Sequence, residues 1–114
     1  MATTIRNIGD VYYKSGDYEA SLRYNQQGLA ISRELKDERG IISSLLDMGT
    51  ANYSLERFED GIVNLNEALL LAKESNSLNL LSKSYSHFHD LYSSQNNYKK
   101  ALEYYLLHDE IKRC

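Results

Sequence analysis

The sequence predicts an all-α fold, a right-handed α-solenoid of three helix–turn–helix repeats with six antiparallel helices. Two observations point there: an internal period of 40 residues, and apolar residues that return at helical rather than strand spacing. Tyr18, Phe58 and Tyr98 mark the period. Shifted by it, Asp17-Tyr18-Glu19-Ala20 falls on Arg57-Phe58-Glu59-Asp60 and then on Asn97-Tyr98-Lys99-Lys100. Leu22 falls on Ile62 and Leu102, and Ile8-Gly9 on Met48-Gly49 and Phe88-His89. A period of this size means that each unit is one supersecondary element that buries its apolar face only against its neighbours. Such an architecture predicts a scaffold that binds, not a catalyst.

The three repeats fall at about 1–37, 38–77 and 78–114, within one domain spanning 1–114. Repeat one reads as a helix from about Thr4 to Lys14, a turn at Ser15-Gly16-Asp17, and a second helix from Tyr18 to about Lys36. Repeat two gives helices at about Glu38–Ser54 and Phe58–Glu74, and repeat three at Leu78–Ser93 and Tyr98–Lys112. Apolar residues recur with helical periodicity in the first helices (Ile5, Ile8, Tyr12; Leu45, Met48, Ala51; Tyr85, Phe88, Tyr92). The second helices show Leu22 and Leu29; Ile62, Leu65 and Leu69; Leu102 and Tyr105. Asp37 and Ser77 precede first helices, and Asp17 and Asn97 precede second helices, where a side-chain oxygen accepts from unpaired backbone N–H groups. Arg57 is a poor cap. Gly16 and Asn96 suit the left-handed residue that ends a helix, whereas Glu56 does not. The middle turn should therefore be held mainly by packing.

Composition narrows the function. Hydrophobic content of 42% and charged content of 25% are those of a globular protein. A net charge of −3, with no clustered Lys and Arg, argues against nucleic acid, whose phosphates demand such a cluster. The longest apolar runs, such as Leu69-Leu70-Leu71-Ala72, are far too short to span a membrane. Met-Ala-Thr-Thr at the start is no secretory segment, and the lone Cys114 makes no internal disulfide. A cytoplasmic location is expected. With no proline, the turns must come from Gly, Asn, Asp and Ser.

These residues resemble the tetratricopeptide repeat family over nearly the whole chain. Gly9 and Gly49 match its small residue in the first helix, and Tyr18, Phe58 and Tyr98 its aromatic after the turn. Ser21, Gly61 and Ala101, then Gly28 and Ala68, match its small positions along the second helix, where helices approach closely. The repeat is longer than the common length of about 34 residues and lacks the usual closing proline, with Glu-Leu-Lys-Asp-Glu-Arg-Gly in its place. That long form is similar to repeats of bacterial signalling proteins and animal polarity adaptors. The segment from Asn96 to Lys112 resembles the last repeat before a sensor kinase or cyclase domain, which implies a piece of a larger signalling protein. His89 and His108 stand where the other repeats are small, so repeat three should be distorted or close the array.

No enzyme chemistry is legible. On a helix, His87 and His89 point about 200° apart and cannot share one ion. No nucleophile elbow or phosphate-cradling loop is present, and Glu59-Asp60 sits where a helix dipole favours acids. No cofactor and no metal are expected. What remains is the groove that the family's first helices line. Its stripe reads Thr3, Arg6, Asp10 and Tyr13; Ser43, Leu46, Thr50 and Tyr53; Lys83, Ser86, Asp90 and Ser93; with Asn7, Asp47 and His87 on the edge. The expected protein-binding residues are Arg6, Asp10, Tyr13, Asp47, Thr50, Tyr53, Lys83, His87 and Asp90, taking a peptide or helix with polar and apolar groups. The same stripe is also what the solvated face of three helices looks like. A clamp for a C-terminal carboxylate, as in the family's chaperone-binding members, fits poorly: Arg6 and Lys83 are present, but Asp10 and Asp47 would repel the ligand. From another class comes an assembly unit that self-associates, as a homo-oligomer, through a C-terminal edge of Leu102, Tyr105, Leu106 and Tyr104.

Overall fold

The computed structural model describes residues 2–113; Cys114 lies outside them, as do the side chains of Thr3 and Arg113. Six helices follow one another: α1 (Ala2–Lys14), α2 (Tyr18–Glu34), α3 (Glu38–Ser54), α4 (Phe58–Ser75), α5 (Leu78–Ser94) and α6 (Tyr98–Arg113). No strand occurs among the described residues. The expected ends hold within two residues. The two largest local revisions are at α1, which starts at Ala2 instead of Thr4, and at α2, which stops at Glu34 instead of reaching Lys36.

The reason lies in a device repeated at every turn. Gly16, Lys36, Glu56, Asn76 and Asn96 all have positive φ, at 91°, 55°, 63°, 59° and 60°, so one left-handed residue closes each helix and the chain reverses every half period. Across four of the five turns the next N–H donates back to a carbonyl five residues earlier, as from Asp37 to Ser32 at 2.9 Å and from Arg57 to Asn52 at 2.8 Å. The following residue then caps the next helix. Side-chain oxygens of Asp17, Asp37, Ser77 and Asn97 accept from the N–H groups of Ala20, Gly40, Leu80 and Lys100 at 3.1, 3.1, 3.2 and 3.3 Å. Arg57 makes no such bond; its guanidinium pairs with Glu19 of α2 instead. Lys36 is a second residue ill suited to its turn. Each non-glycine left-handed residue costs roughly 1–2 kcal/mol, so packing outside the turn overrides local preference at both sites.

That packing centres on α3. Ile42, Leu45 and Ala51 of α3, Leu65 and Ala68 of α4, and Phe88 and Leu91 of α5 are at most 1% exposed. The small residues set how close the helices come. A Cβ on Gly61 would lie 3.1 Å from the carbonyl oxygen of Gly49 and 3.3 Å from Leu91, and one on Gly49 would lie 2.5 Å from Leu65. Within each pair the same register recurs: Gly9 faces Asn25 and the Ser21 carbonyl, and Gly49 faces Leu65 and the Gly61 carbonyl. In repeat three His89 stands at the matching site, its ring against Tyr105 and its Nδ1–H donating to the Ala101 carbonyl at 2.9 Å. The larger side chain is thus accommodated by a hydrogen bond to the carbonyl that the glycines pack against. Repeat three keeps its helix pair, helped by Tyr104, which stacks on Phe88 at 4.7 Å and on Tyr92 at 5.7 Å. Tyr104 therefore belongs to the interior of the pair and not to the exposed edge. His108 is half-buried beside Ser86, His89 and Tyr105.

The layering gives the solenoid its curvature. The backbone of α3 packs against both α1 and α5, whereas the backbones of α2, α4 and α6 do not approach one another. Outer helices reach each other through long side chains, such as Arg33 to Glu67 at 2.9 Å, an exposed pair of small energetic value. First helices therefore form the tighter, concave layer. Replacing Gly61 by Leu is expected to destabilise the protein by about 1–3 kcal/mol through overpacking against a backbone that cannot yield. Urea denaturation of the variant beside the wild type checks this, and an unchanged midpoint would show that the crossing is looser than described.

Candidate functional site

On the concave layer, helical spacing puts residues i, i+3, i+4 and i+7 on one face, and one residue of the stripe predicted from sequence departs from it. Leu46 is 2% exposed and part of the core; it supports the groove from beneath instead of projecting into it. Asp10, Tyr13, Asp47, Thr50 and His87 converge on a pocket of about 130 Å³. Arg6 and Lys83 flank it, close enough to act on the Asp47 charge. Tyr53 and Asp90 lie beside it, within electrostatic reach of each other and, through Tyr53, of Tyr13. All nine expected residues thus fall in one neighbourhood, drawn from α1, α3 and α5.

Two residues that line the pocket were not anticipated. Ser21 and Asn25 come from α2, through the gap that Gly9 leaves between α1 and α2. A signal for Asn25 does exist in the sequence: it interrupts the apolar face of Leu22 and Leu29 at a position where the next repeat has Leu65. Asn25 is 2% exposed, and its Nδ2 donates to the Ser21 carbonyl at 3.0 Å. That bond fixes the orientation of the amide, because the opposite flip would set oxygen against oxygen. Asn25 Oδ1 is buried with no hydrogen-bond partner.

The tyrosines are less free than the stripe suggested. Tyr13 packs on Tyr18 with ring centroids 5.0 Å apart, and its hydroxyl meets Ser54 Oγ at 3.0 Å, tying α1 to α3. Tyr53 is half-buried against the core, and burial, with Tyr13 and Asp90 nearby, pushes its phenol up to about 12. Both rings are structural as well as accessible. Thr50 Oγ1 donates to the Leu46 carbonyl at 3.1 Å, and His87 Nδ1 lies 2.9 Å from the Lys83 carbonyl, so it carries the proton there. His87 and His89 are thus engaged on different partners. Among the described residues no group of three His, Cys, Asp or Glu could hold a metal, and no helix is long and apolar enough to cross a membrane.

Stacked helix pairs with small residues at their crossings and a concave first-helix face define an α-solenoid repeat. The tetratricopeptide repeat family model matches residues 1–74, and the chain belongs to that family. No curated protein matches it. The match covers the two pairs that carry glycine in the first helix. The third pair, with His89 at that place and Tyr98 66% exposed, repeats the fold with altered residues. Repeats of this family generally mediate protein–protein interaction and are typically not enzymes.

Asp47 carries the clearest electrostatic cost in the groove. Desolvation raises its carboxyl above the ordinary 3.8, assisted by Asp10 and opposed by His87, Arg6 and Lys83. A carboxyl whose folded value is raised binds its proton more tightly folded than unfolded, so stability falls as pH rises from 3.8 through the raised value. Ionised Asp47 therefore weakens the fold at neutral pH. Asp47→Asn is expected to raise the thermal midpoint at pH 7, with the gain shrinking as the pH is brought down towards 3.8. Paired melts at pH 7 and pH 4 measure it; a variant less stable at pH 7 would refute the reading.

Proposed function

We propose that this chain is a protein-interaction module that holds an extended peptide or a helix in the groove lined by α1, α3 and α5, as part of a larger signalling protein. The observation that carries it is Asp47. An acid kept half-buried, whose charge is penalised by burial more than His87, Arg6 and Lys83 favour it, is a departure from what the fold alone prefers, and such departures concentrate at functional sites. The convergence of Arg6, Asp10, Tyr13, Thr50, Tyr53, Lys83, His87 and Asp90 on the same face supports a contact surface of mixed polarity. A non-catalytic role agrees with hydroxyls and imidazoles that are engaged with backbone or with one another and with the lack of any nucleophile–base pair among them.

A peptide selected from a displayed library against the full chain is expected to bind with roughly micromolar affinity, given so small a concave face. Its chemical-shift footprint should include Asp10, Thr50, Lys83 and Asp90. Tyr13→Ala should weaken it by about 2 kcal/mol if the ring anchors the ligand, with circular dichroism to confirm that the helices persist. A footprint confined to α2, α4 and α6 would sink the proposal.

A second reading, assembly with copies of itself, is favoured by the two outer edges. Leu102, Tyr105 and Leu106 of α6 are 55%, 49% and 55% exposed, and Val11 of α1 is 65% exposed. By register Val11 corresponds to Ala51 and Leu91, both buried by the preceding pair. The α1 edge of one copy thus has the form of a helix that packs on an α6 edge, a head-to-tail contact between copies. Each large apolar group covered would contribute about 1.5–3 kcal/mol. Light scattering should show mass growing with concentration for the wild type and a monomer for the Leu102→Glu, Leu106→Glu variant; a wild type monomeric at high concentration refutes this reading.

A further inference from the structure

The polar atoms around the groove pocket have a common character. Thr50 has given its hydroxyl proton to the Leu46 carbonyl, Tyr13 is engaged with Ser54, and Asn25 Nδ2 is engaged with Ser21. His87, with its proton on Nδ1 and directed at the Lys83 carbonyl, leaves Nε2 as an acceptor when the ring is neutral. What stays unengaged on the pocket wall is the Asp47 carboxylate, Asn25 Oδ1 and His87 Nε2, with the Asp10 carboxylate beside them. These are acceptors from three helices; the donors nearby are the Ser21 hydroxyl, which accepts from Asn25 Nδ2, and Arg6 Nε, which is buried without a partner but does not line the pocket. Asn25 is only 2% exposed and its Oδ1 lies just behind the pocket surface, where a buried acceptor without a donor is costly.

We propose that this pocket is a socket for the cationic end of a Lys or Arg side chain of the bound peptide. The inference rests on the groove reading above and names the chemistry of its partner. An ammonium brings three N–H donors and a guanidinium five, with no acceptor of their own, which suits the unengaged Asp47 and His87 acceptors on the wall. The pocket's 130 Å³ far exceeds the ~10–15 Å³ that one water requires and admits a side-chain terminus. Charged groups from every neighbouring element enter the balance. Lys14 holds Asp10 at 3.1 Å on the solvent side, where both are more than half exposed; such a pair is worth little and exchanges partners readily. Arg6 and Lys83 lower the cost of the Asp47 charge, yet neither comes within ion-pair distance of it among the described residues. Neither is among the residues that line the pocket, which leaves the socket open. A cation arriving there relieves the desolvated Asp47 carboxylate, so the burial that costs stability in the free protein strengthens the contact in the complex.

The test uses the whole chain, labelled with ¹⁵N, and four capped pentapeptides of sequence Gly-Ser-X-Ser-Gly with X as Arg, Lys, norleucine or Glu. The Arg and Lys peptides are expected to shift the amides of Asp47, Thr50 and His87 and the side-chain amide of Asn25, binding about tenfold more tightly than the norleucine peptide. Binding should weaken as the pH falls and Asp47 takes up a proton. The Asp10→Asn, Asp47→Asn double variant should lose the preference with its helical spectrum intact. Thr50→Lys, whose own ammonium reaches the acceptors, provides a second variant that should block the shifts. Norleucine or Glu binding as well as Arg, a preference that survives in the double variant, or no response of these residues to Arg and Lys at millimolar peptide overturns the socket. The groove reading is judged separately: a library-selected peptide that maps to the concave face without a basic residue in this pocket leaves the groove standing and the socket refuted.

Discussion

The approach of α3 to α4 at Gly49 and Gly61 is the contact on which the remaining geometry depends. With no Cβ on either residue, the backbone of α4 comes within van der Waals contact of α3, and Leu91 of α5 fills the space just beyond Gly61. Three helices from two repeats therefore share one tight crossing. Because α3 also touches α1, the first helices form a continuous inner layer while the second helices fan apart. The concave face follows from that difference in spacing, and the groove pocket follows from the concave face together with the gap at Gly9. A methyl group at the crossing would have to displace main chain, which close-packed interiors resist.

Tertiary packing of this strength explains why the chain tolerates local choices that oppose it. Lys36 and Glu56 hold left-handed backbone that glycine or asparagine would adopt more cheaply, and Arg57 begins α4 without capping it. The surrounding helices fix the position of both turns, so the local preference of two residues cannot move them. Asp47 is a different kind of exception. Nothing around it requires a carboxylate, and its burial penalises the charge, so the fold tolerates it without being served by it. A misfit in a turn is absorbed by the scaffold; a misfit in the groove is where a partner's chemistry has room to act.

Repeat three shows how a solenoid absorbs divergence. A histidine at a glycine site would ordinarily pry a helix pair apart, but the Ala101 carbonyl it meets is a hydrogen-bond acceptor, and the imidazole donates to it. Phe88, Tyr92 and Tyr104 then stack across the pair, with the Lys100 ammonium 5.2 Å from the Tyr92 ring. Aromatic contact adds to a backbone approach that the pair retains. Where repeat three was expected to be distorted or to close the array, the pair has the same topology as the others and a different chemistry of adhesion.

From the sequence by itself came the helix count, the pairing and four of the caps, because each rests on spacing along one chain; which face becomes the groove was implied by the family resemblance. The period placed Tyr18, Phe58 and Tyr98, and the alternation of apolar and polar residues on each helix placed Arg6, Asp10, Tyr13, Thr50 and Lys83 on one side. Decisions that compare positions on different helices belonged to the tertiary structure. Leu46 looked like a groove residue and is core; Tyr104 looked like an edge residue and stacks inside its pair; Asn25, which the sequence reading passed over, lines the pocket. Helical periodicity gives the direction of a side chain around its own axis, but its surroundings depend on how far away the neighbouring helix lies. That distance is set by the glycines at 9, 49 and 61 and by what they face, which only the assembled fold displays.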